Sequence, residues 1–539
     1  MSFQFHKLFR MFSRKEQFIF VGAAIIFTVT MVIYVASFID KKTVLLPAMG
    51  GTYREGMLTQ PVYINPVISN GNEADKDIIA LTYSTVADLA EKITVADNNQ
   101  VWTVRIKDNV YWHDGTRLTA DDIVFTIQSI QNPEANSPLS AAWQGVTPER
   151  VSELELTLTT GAPYAFFDEN LKSFYVVPKH IFSQVPVANW RQSDYNLEPI
   201  GSGPYKVASF KKEKNGFISE YYLVKNDRYF KEKPFINNIT FIFFANPDDE
   251  LEAFNIARID ALSGINPLLV KNIKRPHKIV DLRLPRYYAV FLNQNSNDLL
   301  KNRAVRLALD YATDKKDIIK NVFFGSASLI DEPTPYMPQA TSSDPTSYDP
   351  GEAMKILDAS KLRKGTDGFF GEIKLVIPQI EFLTKTAGIL KSNWEAIGIK
   401  TTLITLDIPT ISNEVIKNRN YDAILFGNAF ATNPDMFSFW HSSERFYPGL
   451  NLSLYNNKDA DKLIESVRKD FDSSSRAKKL ADFTALIRAD TPAVFLYSPN
   501  YLYLMNNNIR GFNEAIINTP SSRFHDVTSW YIKTKRVFR

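Results

Sequence analysis

Hydrophobic and polar positions along the chain fall into three patterns. Over residues 18–39 no charged side chain interrupts a run rich in Ile, Val, Phe and Ala, long enough to cross roughly 30 Å of hydrocarbon as one helix. The run has no polar stripe of the kind that marks a helix lying on a core, so it predicts a transmembrane span. Residues 101–107 alternate instead, with Trp102, Val104 and Ile106 on one face and Thr103, Arg105 and Lys107 on the other, the period of a half-buried strand. A turn at His113-Asp114-Gly115 leads into a helix. Thr119 is its expected N-cap, Asp121 and Asp122 suit the positive end of its dipole, and Asn132-Pro133 stops it. Helical spacing returns over 303–310 and over 384–397, where Gly398 precedes a strand over 399–406. This last unit has the form of half a βαβ layer. Pro-rich connections at 332–335 and around Asp344-Pro345 separate these elements. The pattern predicts a mixed α/β protein preceded by one membrane helix.

Charge around the apolar run sets an orientation. Lys7, Arg10, Arg14 and Lys15 precede it, and Lys41 and Lys42 follow. The bias places residues 1–17 in the cytoplasm and everything after the helix outside, as a single-pass cell-membrane protein. The alternative is a cleaved signal peptide, but its apolar core is usually only about 7–15 residues. Ala36-Ser37 supplies no more than a weak cleavage-like pair.

At 539 residues the chain exceeds what one core organises, and two or three domains are expected. With 62 Lys and Arg against 59 Asp and Glu the formal net charge is +3, far from the basic stripe that phosphate neutralisation requires, so nucleic acid is not an expected partner. The chain has no cysteine, which removes disulfides, thiolate metal sites, cysteine nucleophiles and a lipidated cysteine anchor. Its six histidines are scattered without metal-ligand spacing, and no cofactor is expected.

Several stretches carry a resemblance in order. They are VWTVRIKDNVYWHDGTRLTADDIVF at 101–125, PIGSGPYK at 199–206, NDRYF at 226–230 leading to Pro234, and ARID at 257–260. RAVRLALDYATD at 303–314, YDP at 348–350, AIGI at 396–399, residues 451–461 and Thr491-Pro492 continue it. The chain resembles the peptide, dipeptide and nickel family of extracytoplasmic solute-binding proteins over about residues 50–515. The resemblance implies a two-lobed α/β fold like that of periplasmic binding proteins (type II, cluster C) with an extra domain. It implies a monomer that captures a peptide or another small solute and delivers it to an ABC permease, without catalysis. On this pattern lobe I comprises 44–66, 198–285 and 498–532, the extra domain 67–197, and lobe III 286–497, with chain crossings near 199–204 and 284–288. One departure stands at Val86-Ala87. Family members place an extra hairpin between the strand matching 81–86 and the element matching 89–91, and this chain passes directly from one to the other.

Position in the family pattern singles out Thr59, Gln60, Pro61 and Val62, after the first external strand, as ligand contacts; they also read as an ordinary strand-end loop. Asn428, Phe430 and Trp440 match the opposite wall, and the two rings are equally compatible with core. In peptide-binding relatives a GW..D element supplies an aspartate for the ligand's α-ammonium. Ala431 stands in that place here, which leaves Asp435 as the nearest substitute. His113-Asp114 has the look of a general-base dyad but reads more simply as an Asp-Gly turn. Gly201 and Gly203 lack the lysine and helix of a phosphate loop. Competing readings are a sugar, opine or metal chelate in the same fold, and, in another class, a membrane-tethered hydrolase or surface structural protein.

Overall fold

A computed structural model describes residues 13–334, 347–430 and 435–538; Pro335, Asp344, Pro345 and Ala431 therefore lie outside the described residues. The apolar run is one helix, Arg14–Lys42, capped at its start by Ser13 and Glu16, with none of its residues buried. It is long and apolar enough to cross a membrane. It passes without a spacer into the strand Thr43–Ala48, which pairs antiparallel with Lys533–Phe538. Arg536 joins the two ends at Asp40, 3.0 Å away.

The remainder is built on three sheets. A seven-stranded sheet takes its strands, in spatial order, from His277–Leu282, Tyr501–Asn506, Ala261–Ser263, Thr52–Met57, Asn238–Phe243, Ile218–Lys225 and Tyr205–Lys212. A six-stranded sheet runs Ala327–Leu329, Ala493–Pro499, Arg286–Leu292, Ala423–Ala429, Gly371–Pro378 and Ile399–Leu406. A four-stranded antiparallel sheet contains Ala90–Val95, Val101–Ile106, Glu155–Thr160 and Val146–Arg150.

Both larger sheets are covered on two faces. Along Arg286–Leu292, Tyr287, Ala289 and Phe291 enter one core while Val290 and Leu292 enter another, the two-residue period of a strand buried on both sides. In the seven-stranded sheet Tyr53 and Phe241 face one core, and Ile242 and Leu504 the other.

Local signals behave as read in most places. The helix Ala120–Gln131 begins where Thr119 donates its N–H to Asp122 Oδ2 at 2.9 Å and ends at Asn132. Ile399–Leu406 forms the expected strand, and the preceding helix is Glu381–Ala396. The strand expected over 81–86 is not there. Leu81 and Thr82 close a helix, Glu73–Thr82, whose Asn72 caps the N–H of Asp75 at 3.1 Å. Ala74, Ile78 and Leu81 all enter its core, and that helical spacing outweighs the strand preference of the Leu-Thr-Tyr-Ser-Thr run.

Candidate functional site

Two chain crossings link the larger sheets. One runs from Leu282 to Arg286, the other from Pro499 to Tyr501, and they lie side by side. Arg286 Nη2 donates to the Pro499 carbonyl at 3.3 Å, and Ser498 Oγ to the Leu284 carbonyl at 3.4 Å. Against them opens a cavity of about 460 Å³, within the size range of small-molecule sites. The seven-stranded sheet contributes Met57, Leu58, Thr59, residues 263–268 and Tyr501. Across from them stand Tyr288, Phe323, Phe382 and Lys385, which belong to the six-stranded sheet and its helices. Its walls thus come from both larger sheets.

The far wall is aromatic and braced. Tyr288 stacks on Tyr497 at 5.7 Å between ring centroids and meets the edge of Phe382 at 5.3 Å. Gly427, paired with Tyr288 across the ladder, makes room for the ring: a Cβ there would sit 2.9 Å from it. Burial raises the Tyr288 hydroxyl above its ordinary value, partly offset by the charge of Arg286. The hydroxyl therefore stays protonated at neutral pH and can donate to a ligand. On the near wall, Gly264 holds a left-handed φ of +67° while packing under Tyr501, a backbone that other residues rarely adopt. Charged lining groups are Arg286, Glu73, Glu381 and Lys385, the last two joined at 2.7 Å.

Thr59 lines this cavity. Its neighbours hold the loop: Gln60 Oε1 accepts the N–H of Ile218 at 2.6 Å, and Asp75 accepts the N–H groups of Val62 and Tyr63 at 2.7 and 3.0 Å. Asn428, Phe430 and Trp440 are buried and are not part of the lining. Asn428 donates to the Tyr287 hydroxyl at 2.9 Å, Phe430 packs on Tyr287 and Phe439, and Trp440 on Phe291, Tyr455 and Phe495. Asp435 accepts from the Tyr164 hydroxyl at 3.2 Å and from the Phe437 N–H at 3.0 Å, and pairs with Arg468 at 3.0 Å. Ala431 lies outside the described residues. Sequence reasoning missed Arg286, Tyr288, Phe323, Phe382 and Tyr501; the crossing it placed at 284–288 was the signal that could have found the first two.

The His113-Asp114 pair has no catalytic arrangement. His113 Nδ1 accepts the N–H of Gly201 at 3.2 Å and Nε2 donates to the Gly203 carbonyl at 3.1 Å, a tautomer set by these partners. Asp114 takes the Thr116 N–H in a turn and contacts His180 Nε2 at 2.7 Å. Gly201 is required where it stands, since a Cβ would lie 1.8 Å from the Thr82 carbonyl oxygen. This segment joins the four-stranded sheet to the seven-stranded one.

The fold has known counterparts. The oligopeptide-binding protein AppA of Bacillus subtilis is 27% identical over 544 aligned residues, covering 91% of this chain and 93% of that protein. The structure of AppA in complex with a nonapeptide superposes with a TM-score of 0.68 at 25% identity, covering 90% of this chain and 100% of the other. The ABC transporter substrate-binding protein CtaP of Listeria monocytogenes shares the fold with a TM-score of 0.77 at 24% identity, again over 90% of this chain and 100% of the other. The family model for bacterial extracellular solute-binding proteins, family 5, matches residues 84–446, two-thirds of the chain. The chain belongs to the bacterial extracellular solute-binding proteins, family 5.

Proposed function

We propose that this protein captures short peptides outside the cytoplasm, in the cavity beside the two crossings, and delivers them to an ABC permease. The observation that carries the reading is the origin of the cavity walls: Met57 and Tyr501 on one side and Tyr288 and Phe382 on the other pack in different cores, and the two crossings run beside the cavity. Rotation about residues 282–286 and 499–501 closes such a cleft over a ligand. The names of the relatives, among them a protein solved with a nonapeptide, support a peptide as cargo. Among the described residues the lining has no histidine or cysteine, which favours an organic solute held by hydrogen bonds, charge and ring contacts over a directly ligated metal.

The lobes proposed are 44–66 with 198–285 and 498–532 for the first, 67–197 for the extra domain, and 286–497 for the third. Thr59 is proposed as a direct ligand contact, with Gln60 and Val62 fixing its loop. The role of the protein is binding without covalent chemistry, as a monomer retained on the membrane by the helix Arg14–Lys42. Melting curves with pools of short peptides and with sugars test the cargo. Binding stabilises the folded state in proportion to the logarithm of ligand concentration over Kd, so peptide pools raise Tm and sugars do not. A rise with sugars alone overturns the reading.

A further inference from the structure

The strands Thr43–Ala48 and Lys533–Phe538 form a two-stranded ribbon separate from the other three sheets. Every residue of Lys533–Phe538 is exposed. Phe538 is 71% exposed, and Leu45 and Leu46 on the partner strand are 51% and 42% exposed. A ribbon with free edges and bare apolar side chains is normally covered by something, and its register shows what lies next to it. Phe538 pairs with Thr43, the residue that follows the apolar helix, and Val537 pairs with Val44. At about 1.5 Å per residue the uncharged run 18–39 spans about 33 Å, enough to fill the ~30 Å of hydrocarbon. Residues 40–42 and the first rungs of the ribbon then fall at headgroup depth, where aromatic rings anchor proteins.

The charges at this end agree with a lipid surface. Asp40, the one acidic residue there, is paired with Arg536 at 3.0 Å. Lys41, Lys42, Lys533 and Lys535 form no ion pair among the described residues, which leaves a basic rim around exposed apolar groups. We propose that the ribbon is a second membrane contact, with Phe538 at headgroup depth in the outer leaflet and Lys41, Lys42 and Lys535 against the phosphates of anionic phospholipids. This rests on retention of the helix Arg14–Lys42 and adds a distant segment of the chain to the anchor. The ribbon enters the large domain where the Gly50 N–H donates to the Phe235 carbonyl at 2.8 Å and Ile532 packs on the core. Two strands, rather than one loose tether, therefore hold the binding domain at a fixed height over the bilayer.

The test uses the full chain in nanodiscs of phosphatidylcholine, alone or mixed with phosphatidylglycerol. The chain has no cysteine of its own, so nitroxide labels go to single sites: Phe538→Cys and Val537→Cys on the ribbon, Val32→Cys within the helix, and Asn215→Cys in an exposed turn. Electron paramagnetic resonance reads depth from collisions with oxygen, which concentrates in lipid, and with a water-soluble nickel chelate. Nickel collisions at 538 are expected to fall on the order of threefold below those at 215 in the anionic discs, and less in phosphatidylcholine alone or at high salt. With the label at 537, Phe538→Ser, or Lys41→Gln together with Lys42→Gln, returns part of the nickel access. Ribbon labels as open to nickel as the one at 215, with 32 buried, overturn the inference alone. Nickel access at 32 as well overturns retention of the helix together with it. Spin–spin broadening at 537 or 538 that dilution with unlabelled chain removes would place a second copy on the ribbon, and overturns the inference too. Equal shielding with and without phosphatidylglycerol overturns the role given to the lysines.

Discussion

Arg523 donates to Asp77 at 2.9 Å across 446 residues of chain, with both side chains inaccessible to solvent. The same guanidinium reaches Glu55 through Nη2 at 2.6 Å, and Glu55 also accepts from the hydroxyls of Tyr53 and Tyr503 at 2.7 and 3.0 Å. One arginine near the C-terminus therefore ties the first strand of the seven-stranded sheet to the helix Glu73–Thr82. Removing one partner of a buried ion network leaves uncompensated charge. Arg523→Met is expected to cost about 3–5 kcal/mol, read as a lower urea midpoint. A loss below about 1 kcal/mol would show that the network is not needed for stability.

Next to that network, Glu250 is only 4% exposed, and its Oε1 has no hydrogen-bond partner. Burial, reinforced by the Glu55 carboxylate, pushes its carboxyl up to about 8. Between the ordinary value near 4.5 and about 8 the folded protein holds a proton that the unfolded chain has released. The stability from this group is thus present at low pH and lost as pH rises through that window. Glu250→Gln removes the titration and is expected to stabilise on the order of 3 kcal/mol at pH 7 and little at pH 4.5. Identical urea midpoints for both proteins at pH 7 would contradict this.

His113 behaves in the opposite sense. Burial pushes its imidazole down to about 4 from 6.5, so between these values the unfolded chain binds a proton that the folded protein does not. Its contribution is complete above pH 6.5 and is lost as pH falls towards 4. His113→Gln is expected to cost about 1–2 kcal/mol at pH 7.5, from the bonds to Gly201 and Gly203, and to flatten the loss of stability on acidification. Parallel midpoint-against-pH curves for native and variant protein would refute the assignment.

The helix Arg14–Lys42, flanked by basic residues and joined without a spacer to the strand Thr43–Ala48, gives a topological expectation. Protease added to intact cells removes the large domain and leaves a small N-terminal fragment in the membrane. Protection of the large domain until lysis would place it inside. Recovery of a chain that starts near Ser37 would show that the helix is cleaved.

Signals confined to neighbouring residues were legible in the sequence. The Thr119–Asp122 start, the Asn132 stop and the apolar run each depend on a few adjacent positions, and each appears where expected. The strand over 81–86 came from family position alone, whereas Leu81 and Thr82 close a helix whose core-facing partners lie one and two turns upstream at Ile78 and Ala74. The cavity was the least legible part. Its wall draws Thr59, Tyr288, Phe323, Phe382 and Tyr501 from five separated segments, and nothing local distinguishes Tyr288 on the wall from Trp440 in the core. Family position singled out Thr59, which lines the cavity, and also Phe430 and Trp440, whose rings pack in the core behind the six-stranded sheet.

A short peptide is proposed to occupy this cavity and draw its two walls together. Hydrogen–deuterium exchange of the full chain, with and without a saturating tripeptide pool, locates binding directly. The expected result is slowed exchange in 57–59, 263–268, 322–326 and 380–385, the segments lining the cavity, together with the crossings at 282–286 and 499–501. Protection confined to other segments, or no change at saturation in a sample shown to be folded, would contradict it.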